Sequence, residues 1–280
     1  MKKARFITNL KYFPALILAL FLNACASLPE DLQQEQSQGW QNPEETFLGR
    51  MVAETAPDDS ALSGVELLAD PKSAFTTRFA IANLAEKSLD LQYYLWKGDL
   101  AGGLLMWAAL DAADRGVRVR FLIDDIYHSG RDDTYALLDT HPNFEVRIFN
   151  PMANRGIGRY FNYLANYKFL NHRMHNKIFL ADNAVAVLGG RNIGNDYFGV
   201  DTSANFFDLD VLTTGQGARE AGAAFDEYWN SKYAVPIRVL NKKTFTGKDL
   251  EEGRQKLAVF LEDIDEMPYK LTIDSQETIQ

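Results

Sequence analysis

One cysteine, Cys25, stands in 280 residues, so the chain cannot close an internal disulfide. Histidine is scarce as well: there are four, the last is His175, and none follows it. Positive charge is in deficit, with 29 Lys+Arg against 38 Asp+Glu and a formal net charge of −9. Wrapping nucleic acid needs a basic face, so this balance weighs against a nuclease unless a local basic patch compensates. The apolar run from Tyr12 to Leu22 falls short of the roughly 20 residues of a comfortable transmembrane helix. Glycine (19) and proline (9) are ordinary, which excludes collagen-like repeats and gives no sign of disorder. With 46% hydrophobic residues, the chain can bury one large domain, or a domain with appendages. It contains no internal repeat.

The N-terminus carries Lys2, Lys3, Arg5 and Lys11, then the run YFPALILALFL, then Leu22-Asn23-Ala24-Cys25. A basic segment followed by a short apolar one has the make-up of an export signal. The stretch ending at Cys25 resembles the lipobox of bacterial lipoproteins, in which the cysteine is acylated and becomes the first residue. Asn23 departs from the usual small residue there, and an uncleaved membrane anchor is the alternative. Ala26, not aspartate, follows the cysteine. By resemblance to enterobacterial sorting, that favours a lipid-anchored protein of the cell envelope, at the outer membrane facing the periplasm. The expected organisation is a signal peptide over 1–24, a polar tether over 25–58, a domain over 59–240 and a charged tail over 241–280.

Within the domain, helix-like and strand-like patterns alternate. Helices are predicted over 73–87, 102–114, 131–139 and 218–231, and the second closes at Arg115-Gly116. Strands are predicted over 89–95, 117–123, 144–149, 177–181, 184–188 and 206–212. Beyond Lys242 the pattern reads as a helix and a loose tail. The order implies an α/β fold: a mixed or parallel sheet with helices on its faces.

The chemistry concentrates in one array, H-x-K-x4-D-x6-G-G-x-N, formed by His175, Lys177, Asp182, Gly189, Gly190 and Asn192. On a strand, residues two apart share a face, so an imidazole and an ammonium point together into one cleft. The ammonium neutralises phosphate oxygens, and a neutral imidazole can attack phosphorus. Asp182 lies beyond three apolar residues, at a turn between strands. Gly189 and Gly190 free the backbone for close approach, and Asn192 can donate to a phosphate oxygen. A lone histidine is more often a satisfied polar residue than a nucleophile; five ordered elements together outweigh that reading.

This array resembles the HKD motif of the phospholipase D superfamily. The flanks are similar to its bacterial cardiolipin synthase branch: LQYYLW at 91–96, AADRGVRVR at 112–120, LIDD at 122–125, HPN at 141–143 and RNIGNDYF at 191–198. The resemblance runs from about residue 45 to 240. It implies a phospholipase D-like α-β-α sandwich. His175 is then nucleophile or acid/base partner, and Lys177 and Asn192 bind phosphate. Asp182 is the motif aspartate, structural or orienting. Asp208 matches the carboxylate that bonds the other ring nitrogen of the histidine; a strand-end surface residue is the plainer reading. The implied substrate is a phospholipid such as phosphatidylglycerol at a membrane, with no metal and no cofactor. The pair Asp124-Asp125 then positions a loop and binds no ion. His172 and His175 fall on opposite faces of a strand and make no ligand pair.

Residues 155–173 interleave Arg155, Arg159, Lys168 and Arg173 with Tyr160, Phe161, Tyr163, Tyr167 and Phe169. They read either as an insertion packing its aromatics inward or as an interfacial element meeting anionic headgroups. Stacking of single-stranded bases fits the acidic chain less well. The superfamily's site joins two such motifs across a pseudo-twofold, and only one is present here. The expectation is half of a site. It is completed in a homodimer or by a second HKD-bearing chain, or else it is an inactive fragment. The rival function is a periplasmic homodimeric nuclease.

Overall fold

A computed structural model describes residues 34–55, 62–128, 130–152, 155, 172–201 and 205–261. The apolar run at 12–22, Cys25, nearly all of the basic-aromatic stretch and the tail from 262 lie outside these residues. Met152, Arg155 and His172 belong to a separate unit; the compact unit below takes residues 33–151 and 173–280. No helix among the described residues is long and apolar enough to cross a membrane.

Eight strands form one mixed sheet: β1 (Val65–Leu68), β2 (Ser88–Tyr93), β3 (Arg118–Asp124), β4 (Phe144–Phe149), β5 (Ile178–Ala181), β6 (Val185–Gly189), β7 (Asp210–Thr214) and β8 (Ala234–Pro236). Their order is β1-β7-β6-β5-β2-β3-β4-β8. β2, β3 and β4 run parallel, while β5 runs antiparallel to β2. The helices are α1 (Phe47–Thr55), α2 (Pro71–Leu84), α3 (Leu100–Asp114), α4 (Asp132–Leu138), α5 (Gln216–Trp229), α6 (Ile237–Leu240) and α7 (Gly247–Leu261).

The central strands are apolar because both faces are covered. Phe121 and Ile123 of β3 and Phe179 of β5 join the core beneath α2, α3 and α4. The alternate residues Leu122, Ile178 and Leu180 pack with Phe225 and Trp229 of α5. The expected sandwich is therefore present. The α5 face also buries charge: Arg120 makes a two-pronged pair with Asp90 at 2.6 and 2.7 Å and reaches Asp226 at 2.8 Å. Its guanidinium lies 4.7 Å from the Phe225 ring centroid.

Local signals start and stop the helices that frame the site. Asp70 caps α2 through Ser73 N at 3.0 Å, with Pro71 at the first turn. Asp99 caps α3 through Gly102 N at 3.1 Å, and its other oxygen accepts from Asn195 N at 2.8 Å, tying the helix start to the loop after β6. Gly116, at φ +95°, ends α3 as anticipated.

Two boundaries differ from the sequence reading. Residues 34–55, expected within the tether, pack on the domain: Leu48 is fully buried, and Ser37 and Gly39 bond to Asn230 and Asp226. The polar composition misled because these residues bond to partners almost 200 positions away. The strand expected at 206–212 begins only at Asp210, since the ladder with β6 reaches no further than Gly189↔Asp210. The edge strands β1 and β8 were not foreseen; they are four and three residues long and show no usable alternation.

Candidate active site

Because β5 is antiparallel to β2, its first residues lie where the parallel strands end. That crevice at the carboxyl ends of parallel strands is where open α/β sheets hold ligands. His175 and Lys177 enter there. Lys177 is 4% exposed, and its Nζ stands 3.0 Å from His175 Nδ1 and 2.6 Å from the His175 carbonyl oxygen. Tyr94, just past β2, lays its ring over the imidazole at 4.7 Å between centroids. The Lys177 ammonium is 5.6 Å from the same ring.

Two terms hold the His175 pKa below its ordinary 6.5: burial, then the Lys177 charge, with Asp208 opposing both. The ring is thus kept neutral at neutral pH, the form a nucleophile requires. Burial also lowers Lys177 from 10.5, against the pull of Asp208 and Asp210. Burial and a hydrogen bond with Tyr127 push the Tyr94 phenol up to about 12, so it stays protonated.

Asp208 does not bond the imidazole here. Among the described residues it accepts from the amide of Leu209 at 2.9 Å and acts on His175 through charge. The physical reason is that it sits on the extended stretch before β7, outside the ladder that fixes Asp210. Its carboxylate lies directly over Gly190, where any Cβ would overlap it; a Cβ on Gly189 would overlap Asp210 in the same way. The two glycines therefore admit carboxylates beneath the site, rather than phosphate from above.

Asn192 is 6% exposed, with Oδ1 accepting from Leu95 N at 3.2 Å and Nδ2 donating to the Tyr197 hydroxyl at 2.9 Å. It joins the end of β2 to the loop after β6 and keeps one amide hydrogen for another acceptor. Asp182, grouped with the catalytic residues in the sequence reading, is not in the crevice. It stands at the far end of β5, on the order of 17 Å along the strand from Lys177. It occupies the first of two left-handed positions of a tight turn (φ 54° at both Asp182 and Asn183). Its carboxylate accepts from the amides of Glu86, Lys87 and Ser88 at 3.0, 2.7 and 2.9 Å. Burial pushes its carboxyl above 3.8, and those amides offset part of the shift. Asp182 thus fixes β5 against the start of β2.

Asp210 and Arg78 carried no role in the sequence reading. Asp210, fully buried, holds Arg78 at 2.8 Å and Arg191 at 3.4 Å, and Arg78 reaches the Tyr93 hydroxyl at 3.0 Å. Its place two residues after Asp208, on the same face, was the available signal. Asp124 accepts from Met174 N at 2.9 Å and pairs with Arg173 at 3.3 Å, anchoring the residues just before His175. Burial pushes its carboxyl up to about 6 despite Arg173. That accords with the loop-positioning role expected of Asp124.

Residues 80–229 match the family model described as "Cardiolipin synthase, PLD-like domain". The chain belongs to this family. Cardiolipin synthase C of Escherichia coli K12 is 46% identical over 165 residues, covering 59% of this chain and 35% of that protein. An uncharacterised protein of Helicobacter pylori strain 26695 is 34% identical over 270 residues, 94% of this chain and 53% of the relative. The chain thus spans about half, or less, of the length of these curated relatives. Among solved structures, NucT from Helicobacter pylori aligns with a TM-score of 0.46 at 18% identity, over 62% of this chain and 98% of that one. A phosphatidylserine synthase of Haemophilus influenzae Rd KW20 aligns at 0.48 and 17%, over 71% and 43%.

Proposed function

We propose that this chain contributes one histidine of a phospholipid phosphodiester-transfer site of cardiolipin synthase type. The observation that carries the proposal is the Lys177–His175 contact at 3.0 Å beneath Tyr94, with the imidazole held neutral. A phosphate entering the crevice draws the Lys177 ammonium from Nδ1 onto its own oxygens. Asn192 adds its remaining amide hydrogen. Nδ1 then takes up the ring proton, stabilised by the Asp208 charge, and frees the Nε2 lone pair. Nε2 attacks phosphorus and the phosphorus–oxygen bond to the leaving alcohol breaks. The departing alkoxide takes a proton from a second histidine. A lipid hydroxyl, or water, then gives its proton to that second histidine as it attacks phosphorus, and the phosphorus–nitrogen bond to Nε2 breaks. Alcohol attack yields a cardiolipin-type product, and water yields phosphatidic acid.

The second histidine comes from a second motif that faces this one. The site's rim supports such a covering partner: Phe206, Phe207 and Leu209 flank Asp208, are 53%, 104% and 49% exposed, and have no reason to face water in a finished site. As part of the same proposal, the chain is exported and anchored through a lipid on Cys25, which brings it to its substrate membrane. Cys25→Ala is then expected to shift the protein from the membrane to the soluble fraction.

The direct test is incubation of the full chain with phosphatidylglycerol vesicles in EDTA, with products resolved by mass. Release of glycerol with cardiolipin or phosphatidic acid is expected. Absence of both products, with plasmid DNA degraded under the same conditions, would replace a lipid substrate with nucleic acid. The pH profile gives a second check. A neutral His175 is needed, so activity falls below an acid limb under 6.5, and it falls again at higher pH as the proton-donating second histidine, and then Lys177, lose their charge. Asp208 raises His175, so Asp208→Asn should move the acid limb to lower pH. An unmoved profile would remove Asp208 from the site.

A further inference from the structure

Beside the phosphate crevice lies a second, apolar cavity of about 280 Å³, walled by α3, α4 and α7. Trp96, Met106, Leu110, Leu138, Leu250 and Leu257 line it, and almost all of its surface is apolar. Its volume is roughly twice the ~150 Å³ apolar cavity that takes up benzene, which corresponds to an aliphatic segment on the order of ten carbons. It is too small for a whole phospholipid and well sized for part of one chain.

Three features connect this space to the site. Tyr94, over His175, and Lys97, in the cavity wall, are three residues apart, so their Cα atoms are within about 11 Å. Lys97 N donates to Ile193 O at 2.8 Å and its Nζ pairs with Asp196 at 2.7 Å, which fixes this end of the cavity to the loop carrying Asn192. Arg131, bonded to Trp96 O at 2.9 Å, places a cation at that end, complementary to an anionic headgroup. A fourth feature lies inside. Tyr135 is 4% exposed and lines the cavity; the Arg131 side chain faces its hydroxyl as charge and hydrogen-bond donor, and the phenol proton finds no acceptor among the described residues. A buried phenol without an acceptor calls for an explanation, and the ester carbonyl of an acyl chain is an acceptor.

We infer that this cavity binds one acyl chain of the phospholipid whose phosphate sits at His175, Lys177 and Asn192, with the ester carbonyl accepting from Tyr135. This rests on the phospholipid reading above, and it names which part of the substrate lies outside the crevice. The headgroup is held at the end of the sheet and the chain runs down between α3 and α7.

The test uses tryptophan quenching, because Trp96 lines the cavity. Vesicles of phosphatidylglycerol with brominated acyl chains are added to the full protein. The expected result is quenching that disappears in Trp96→Phe and is still detected in His175→Ala, which cannot turn over. Failure of catalysis would therefore leave this readout intact, and the two proposals fail separately. Gly253→Leu fills the cavity from α7. It replaces a helix-interior glycine with a better helix former, and a Cβ there meets only the flexible end of Leu137. It should weaken Trp96 quenching on the order of tenfold, as loss of one or two buried methylene contacts implies, while sedimentation with vesicles is retained. Met106→Trp, filling from α3, guards against a simple displacement of α7 and should do the same. Brominated stearic acid separates a phospholipid chain from a free fatty acid. The inference is overturned if both filled variants quench as the parent does. It is also overturned if phosphatidylglycerol fails to quench Trp96, whether or not the free acid does so.

Discussion

His175→Ala should lower phosphodiester turnover on phosphatidylglycerol by about 10⁴-fold or more, with the thermal unfolding midpoint unchanged. The residue keeps part of its surface open to solvent and, among the described residues, its side chain hydrogen-bonds only Lys177, whose ammonium retains the His175 carbonyl, so its removal orphans no buried group. On the proposed mechanism its whole contribution lies in the covalent step: without Nε2 there is no phosphorus–nitrogen bond to form. Lys177→Met should cost a comparable amount, since the phosphate then meets a buried, uncharged wall in place of an ammonium. Lys177→Arg is not a conservative rescue, because a planar fork cannot occupy the compact position between Nδ1 and the Tyr94 ring. Turnover of His175→Ala within tenfold of the parent would end the nucleophile assignment. Rates should be taken where vesicle binding is saturated, so that the loss reads as chemistry and not as membrane affinity.

Asp182→Ala should do the opposite: about 3 kcal/mol or more of stability lost, read from urea unfolding, with activity per folded molecule largely retained. Three backbone amides, from Glu86, Lys87 and Ser88, would lose their acceptor at once. The left-handed backbone at φ 54° adds to the loss, because alanine tolerates it less well than aspartate. Asp182→Asn keeps one acceptor oxygen and the tolerance for that backbone, so a smaller loss is expected. Asp182 is the third member of the array, yet it works from the far end of the strand. A large fall in turnover for properly folded Asp182→Ala would return it to the chemistry.

The array from His175 to Asn192 was legible as a unit because its spacing encodes one β-hairpin. Lys177 follows His175 by the two-residue strand period, and Asp182-Asn183 supplies the turn that brings Gly189 to Asn192 back beside His175. The helix beginning near Gln216 was legible from its apolar face, and the end of α3 from Gly116. Less could be read where an interaction skips along the chain. Nothing local marks Ser37 and Gly39 as partners of Asn230 and Asp226, so residues 34–55 read as a tether. Nor does a local pattern foretell that Arg78, 132 positions away, closes on Asp210 beneath the two glycines.

By itself, then, the sequence determined which residues could do the chemistry and that they would share one strand end, because strand period and turn preference act over a few residues. Only the tertiary structure decided what each member does. Asp182 became a clamp on three amides, and Gly189 and Gly190 became room for two carboxylates. Tyr94 became the ring against His175, and the space under Trp96 became an apolar cavity. Those roles depend on which strands lie side by side, and the β5–β2 pairing joins segments almost ninety residues apart.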